Sequence, residues 1–254
     1  MNVNDLKYLF NLPPEKIIEW YKNKGLVLNW DWNETWQDAH ARSFTVAKVM
    51  KLDILQDVHN AMIERFEKGT TFRKFQRKLE PILRSKGWWG KVKAKDVPGY
   101  DPNSNVDPEK IVQLGSPYRL KKIFRINSNV AYNSERYNFQ MEDAVNRPYW
   151  QYVQVMRETK RTSHNKFHLL VFHYADPIWD ILYPPNDWNC GCRVRTLSAA
   201  EVEKQKLTIS VGSDYLEYAQ SIIPEEWRYN PGKTAFQVDL GKYDSKIAKQ
   251  YGET

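Results

Sequence analysis

Four stretches in the first hundred residues carry apolar side chains three and four positions apart, the spacing of one helix face. Pro13-Pro14-Glu15 opens the first, since proline tolerates a first helical turn and a carboxylate favours the positive end of the helix dipole. That helix runs through Ile17, Ile18, Trp20 and Tyr21 and stops at Gly25. An aromatic-rich stretch, Trp30 to Trp36, precedes a second helix expected through Ala39, Phe44, Val46 and Ala47. The third spans Leu52 to Glu67, with Ile54, Leu55, Val58, Met62, Ile63 and Phe66 as its stripe, and Gly69 ends it. Thr70 or Thr71 then caps a fourth, carrying Phe72, Phe75, Leu79, Ile82 and Leu83 and closing at Gly87. Stripes of this kind read as core.

The segment from Val97 to Ser116 is rich in Pro, Gly, Asp and Asn and reads as a loop and hinge. A long helix follows, from Pro117 to about Val145. Its Asn127, Asn129 and Asn133 are costly inside a helix, so they point either to polar contacts with the next segment or to a solvated face. Beyond it the period changes to two. Tyr149 to Met156 and Leu169 to Tyr174 read as strands. Ser198, three residues ahead of Glu201, is placed to open a capped helix. Tyr215 to Ile223 reads as a further helix, Thr208 to Val211 and Phe236 to Leu240 as short strands, and Trp227 to Gly232 as a turn. The expected fold class is α+β. A helical domain (residues 1–96) and a hinge (97–116) precede a region (117–254) built from the long helix, a small sheet and a His/Cys knuckle.

At 254 residues the chain can bury a sizeable core, and ten Trp and fifteen Tyr argue against disorder. The net charge of +7 suggests an acidic partner, although no single basic block dominates and ordinary solubilising charge accounts for it equally well. The first ten residues lack the pattern of a signal peptide. No apolar run approaches the ~20 residues of a membrane span.

The densest chemistry lies between Arg161 and Leu197. The two cysteines of the chain, Cys190 and Cys192, sit two apart, and three of its five histidines, His164, His168 and His173, fall within ten residues. A disulfide closing so short a loop is strained, so both thiols are read as free. His and Cys are the donors zinc prefers. His164, His168, Cys190 and Cys192 would complete a structural zinc site, with His173 or Asp176 as alternative ligands and Asp180 as an acceptor orienting a ligand histidine. A plain turn with free thiols and surface histidines is the alternative. Free thiols also point to a reducing compartment. Arg161, Arg193 and Arg195 surround the knuckle as candidate contacts to DNA or a partner.

These motifs carry a resemblance. Leu12-Pro13-Pro14-Glu15, Phe44-Thr45-Val46-Ala47-Lys48, Gly87-Trp88-Trp89-Gly90 and Leu114-Gly115-Ser116-Pro117 appear in order. Arg161-x-Ser-His164, Asp176-Pro-x-Trp179-Asp180, Tyr183-Pro184-Pro185-Asn186, Asn189-Cys190-x-Cys192-Arg193 and Trp227 through Gly232 follow. Over most of its length the chain resembles the phage Mu F-like head morphogenesis family, minor capsid proteins of tailed phages and prophages. The resemblance implies a low-copy protein of the virion or procapsid, assembled in the bacterial host cytoplasm. Its implied partners are the portal protein, the major capsid or scaffold proteins and double-stranded DNA, and it implies no enzymatic activity. Two positions depart from the family pattern. Gly191 stands where a basic residue is usual, and Leu169 where glycine follows the histidine.

Two other functions compete with this one. A zinc-dependent hydrolase or nuclease could use Glu158 as general base, but a four-ligand shell leaves no open position, and the spacing is not His-Glu-x-x-His. A free nucleic-acid-binding module would bind DNA with steep salt dependence, though no recognition helix is apparent.

Overall fold

A computed structural model describes residues 15–31, 34, 43–155 and 161–235. Its elements are α1 (Glu15–Lys22), β1 (Gly25–Leu26), β2 (Ser43–Phe44), α2 (Leu52–Lys68), α3 (Phe72–Ser85), β3 (Lys91–Lys93), β4 (Ile111–Gln113) and α4 (Pro117–Glu142). There follow β5 (Tyr149–Val153), β6 (Val171–His173), α5 (Trp179–Leu182), β7 (Arg193–Leu197), α6 (Ala199–Lys204), α7 (Ser213–Ile222) and α8 (Pro231–Ala235). The fold is α+β, as expected.

The striped helices form where the pattern places them. In α2, Ile54, Leu55, Val58, Met62 and Phe66 are all buried, and Gly69 ends the helix in the left-handed conformation glycine adopts freely. Thr71 caps α3 by accepting from the Lys74 amide. Ser116 caps α4 in the same way, with Pro117 in its first turn. At α6, Ser198 and Glu201 form the reciprocal capping box.

Two apolar clusters result. The first gathers Tyr21, Phe44, the stripes of α2 and α3, Trp88, Leu114, and Leu120, Ile123 and Ala131 of α4. The second gathers Tyr137, Trp150, Tyr152, Phe167, Phe172, Trp179, Tyr183, both cysteines and Trp227. Helix α4 enters both. Several of its polar residues bridge to neighbouring segments, while Asn133 bonds within the helix to the Asn129 carbonyl. Tyr21 donates to Asn127, Asn129 to the Cys190 carbonyl, Ser134 to the Pro231 carbonyl and Gln140 to the Val194 carbonyl. The sheet nearest the cysteines has the order β6-β5-β7, all antiparallel, with Trp150 opposite Phe172 and Thr196.

Several elements differ from expectation. The described part of the second expected helix, Ser43 to Val49, is strand β2 followed by a turn; its other part, 35–42, lies outside the described residues. Phe44 and Val46 are buried on alternate positions and the β-branched Thr45 and Val46 favour extended backbone, so period two wins there. The expected loop at 97–116 ends in β4, which pairs with β3 to close a hairpin too short to show a period. Helix α4 stops at Glu142, three residues early. Of the strand expected at Thr208 to Val211, a single bridge remains, Ile209 to Val171. The turn at Trp227 to Gly232 leads into α8, where the Asn230 side chain accepts from the amides of Gly232 and Lys233. Phe236 to Leu240 lies outside the described residues.

Leu55→Ala should destabilise the protein by about 2–5 kcal/mol in chemical denaturation, since the side chain is fully buried in the first cluster; a neutral result would mean α2 does not pack as described. A Cβ at Gly232 would lie 2.2 Å from the Tyr137 Cβ. Gly232→Ala should therefore cost about 1–3 kcal/mol by pushing α8 off α4, and unchanged stability would show that the two helices do not meet there.

Candidate metal centre

Two irregular loops meet beside the three-stranded sheet. One is the single-stranded approach to β6, a 3-10 turn over Thr162–Phe167. Phe167 anchors it in the second cluster against the rings of Tyr152 and Tyr218, and the Tyr218 hydroxyl donates to the Ser163 carbonyl. The other loop runs from Asn186 to Cys192 into β7. Asn189 takes a positive φ of 57°, and the Cys190 amide donates to the Asp187 carbonyl. Arg161 joins the loops. One guanidinium nitrogen pairs with Asp187 at 2.7 Å and another donates to the Trp188 carbonyl at 2.8 Å.

This clamp brings His164, Cys190 and Cys192 together, all buried, with their donor atoms within 4.8 Å of one another. His164 Nδ1 lies 3.9 Å from the Cys190 sulfur and 3.5 Å from that of Cys192. Bonds of about 2.3 Å to sulfur and 2.0–2.1 Å to nitrogen separate donors in a tetrahedral zinc site by roughly 3.5–3.8 Å. The three donors fit a metal of that kind in type and spacing. Both thiols are free. They share their protons unequally: hydrogen bonding from Cys192 and the nearby His164 hold Cys190 well below the usual thiol range, while Cys190 and burial push Cys192 up. Tyr152 lies against both sulfurs, and burial first, then the cysteines, raise its phenol well above its usual value. Its hydroxyl donates to Asn186 Oδ1 at 2.9 Å.

The structure does not bring His168 to this group. The 3-10 turn ends at Phe167 and His168 follows in extended backbone, so the two histidines do not share a helical face. His168 Nδ1 instead accepts from the Gln154 amide. His173 also stands apart, on β6, with Nδ1 accepting from the Ala175 amide. Asp176 caps the Ile178 and Gly212 amides, and Asp180 pairs with Lys233 rather than orienting a ligand histidine. Glu158 lies outside the described residues. Arg195 is half-buried on β7, and Arg193 sits at the knuckle beside Cys192. Tyr152, Gln154, Asn186 and Asp187 were not singled out as site residues. Only the Tyr183-Pro184-Pro185-Asn186 motif pointed toward them, and Pro184-Pro185 carries a cis peptide bond.

Between His164 and the cysteines opens a cleft of about 10 Å³, bordered by Gln154, Arg161 and Asn189. That is room for about one water. A larger cavity of about 240 Å³ lies on the opposite side of the knuckle, against α4.

Residues 56–195 match the family described as phage Mu protein F like protein. The chain is 36% identical over 261 residues to protein F of Escherichia phage Mu, a candidate capsid assembly protein, covering 92% of this chain and 58% of that relative. It is 38% identical over 239 residues to the F protein of the Mu-like prophage FluMu of Haemophilus influenzae, covering 84% of this chain and 55% of that one. The chain thus spans little more than half the length of these curated relatives. No solved structure matches. The chain belongs to the phage Mu protein F like family.

Zinc added to metal-free protein should bind in one equivalent and raise the melting temperature. At about 100 times its Kd the ion adds about 2.7 kcal/mol, or roughly 5–10 °C for a chain of this size. Affinity should fall as pH falls, because protons compete for His164 and the thiols. Cys190→Ser should lose most of the shift, and an equal shift in that variant would remove the metal from this site.

Proposed function

We propose, on the premise of that family membership, that this chain is a capsid assembly protein of a tailed phage or prophage, a minor structural component of the head. The observation that carries the reading is alignment of nearly the whole chain with capsid assembly protein F of phage Mu at 36% identity. In this reading the protein joins the procapsid in the host cell, in few copies, next to the portal and among major capsid or scaffold proteins. We keep as a proposal the division into a helical part over 1–96, a connection over 97–116 and a knuckle-bearing region over 117–254, with α4 packing into the cores on both sides of the connection. No helix among the described residues is long and apolar enough to cross a membrane.

The metal centre has a structural role in this reading. His164, Cys190 and Cys192 would hold zinc. The ion would staple two loops that have little regular structure of their own, adding to the Arg161 clamp. The +7 charge supports contact with packaged double-stranded DNA through phosphates, a sequence-independent and salt-sensitive attraction. Arg195 is the candidate near the knuckle that lies outside the cavity Arg193 lines. Arg161 is engaged by Asp187 and Trp188, so a phosphate would have to displace its clamp.

One observation favours a second reading, a zinc-dependent hydrolase. Three donors converge among the described residues, which leaves a zinc ion the open position catalytic sites use. The cleft at that position weighs the other way, since its 10 Å³ admits a water and no substrate. Turnover of DNA or peptide that disappears in His164→Ala would establish the hydrolase.

Mass spectrometry of purified heads and DNA-free procapsids from the source tests the leading reading. A few copies per particle in both are expected, and absence from both overturns it.

A further inference from the structure

The 240 Å³ cavity on the α4 side of the knuckle holds two guanidinium groups, Arg136 from α4 and Arg193 from the start of β7. Both are half-buried. Neither forms an ion pair with a described residue. Arg136 donates to Asn133 Oδ1 at 3.3 Å, and the Arg193 Nε is sealed from solvent with no hydrogen-bond partner among the described residues. Burial chiefly pushes Arg136 below its usual range, and the nearby Arg193 charge lowers it further against an opposing contribution from Tyr183. Like charges held together in a partly desolvated cavity are costly unless an anion arrives between them.

We propose that this cavity is a docking pocket for a single carboxylate presented by a protein partner, gripped between Arg136 and Arg193. The planar guanidinium fork binds carboxylate through paired hydrogen bonds. Charge selects an anion, since two of the described residues lining the cavity are arginines with no ion pair to a described residue. Shape selects a protruding group. The arginines sit inside a concavity with room for a side chain or chain terminus, whereas the phosphates of a duplex lie on a convex backbone that does not enter one. The pocket wall includes Gly191, so no side chain between the two cysteines takes up room in it.

The full chain, labelled with 15N-arginine, tests this by NMR of the arginine Nε–H signals. It is titrated with acetyl-Gly-Asp-Gly-amide, with the Asn counterpart, and with inorganic phosphate, all at matched ionic strength. The Asp peptide should shift the Arg136 and Arg193 signals saturably and the Asn peptide should not. R136Q and R193Q should each weaken binding by about tenfold or more, the loss of one charge-assisted contact. Absence of a saturable shift overturns the pocket. Tighter binding of phosphate at the same signals overturns the carboxylate and assigns the site to nucleic acid. Should both Gln variants fail to fold, R193K keeps the charge and loses the fork. Unchanged affinity in R193K overturns the paired grip.

Discussion

One helix has to serve two cores, and the rest of the molecule is arranged around that demand. Helix α4 is 26 residues long, about 39 Å at the α-helical rise. Its first half closes the cluster under α2 and α3, and Tyr137 opens the second cluster. An apolar stripe alone cannot do this, because the segments packed along the middle of the helix are irregular and present bare carbonyls. Buried carbonyls need donors. Asn129, Ser134 and Gln140 supply them to Cys190, Pro231 and Val194. The helix thereby places the cysteine loop, the approach to α8 and the edge of β7 in one frame. Asn129, costly in an isolated helix, here fixes the cysteine loop to it.

The same logic separates what the sequence showed from what it hid. Helices α2 and α3 were legible because stripe and caps agree, down to Thr71 and Gly69. The capping box at Ser198 was legible for the same reason. Strands β2, β3 and β4 were not, because a period needs more positions than their two or three residues provide. Arg119 shows a further limit. It donates to the carbonyls of Gln113, Leu114 and Ala47 and stacks on Trp88, joining segments seventy residues apart. Nothing local marks it as different from any other arginine in a first helical turn.

At the site, residue type was informative and spacing was misleading. His164, Cys190 and Cys192, three of the four donors that residue type pointed to, converge in the structure. Adding His168 assumed an α-helical turn, whereas a 3-10 turn ends at Phe167 and His168 follows it in extended backbone. Leu169 then takes φ 69°, a conformation that costs a side chain of this kind about 1–2 kcal/mol. Flanking bonds hold it there: its amide donates to the Tyr152 carbonyl, and the Gln151 side chain donates to the Leu169 carbonyl. The positive φ swings the chain from the histidine turn into β6.

The cysteine knuckle has two faces with different uses. Toward His164 it closes on a space no larger than a water, and toward α4 it opens on the arginine-lined cavity. Cys192 and Arg193 are consecutive, so whatever fixes the Cys192 sulfur also fixes the backbone from which the Arg193 side chain springs. Asn129 acts on the same segment from the other side through the Cys190 carbonyl. A metal held by His164, Cys190 and Cys192 would therefore act on the cavity by ordering its wall, without contributing chemistry to it. The geometry suits an assembly protein. A buried staple would hold in place two cations that pair with no described carboxylate, and a docking partner could complete the charge balance.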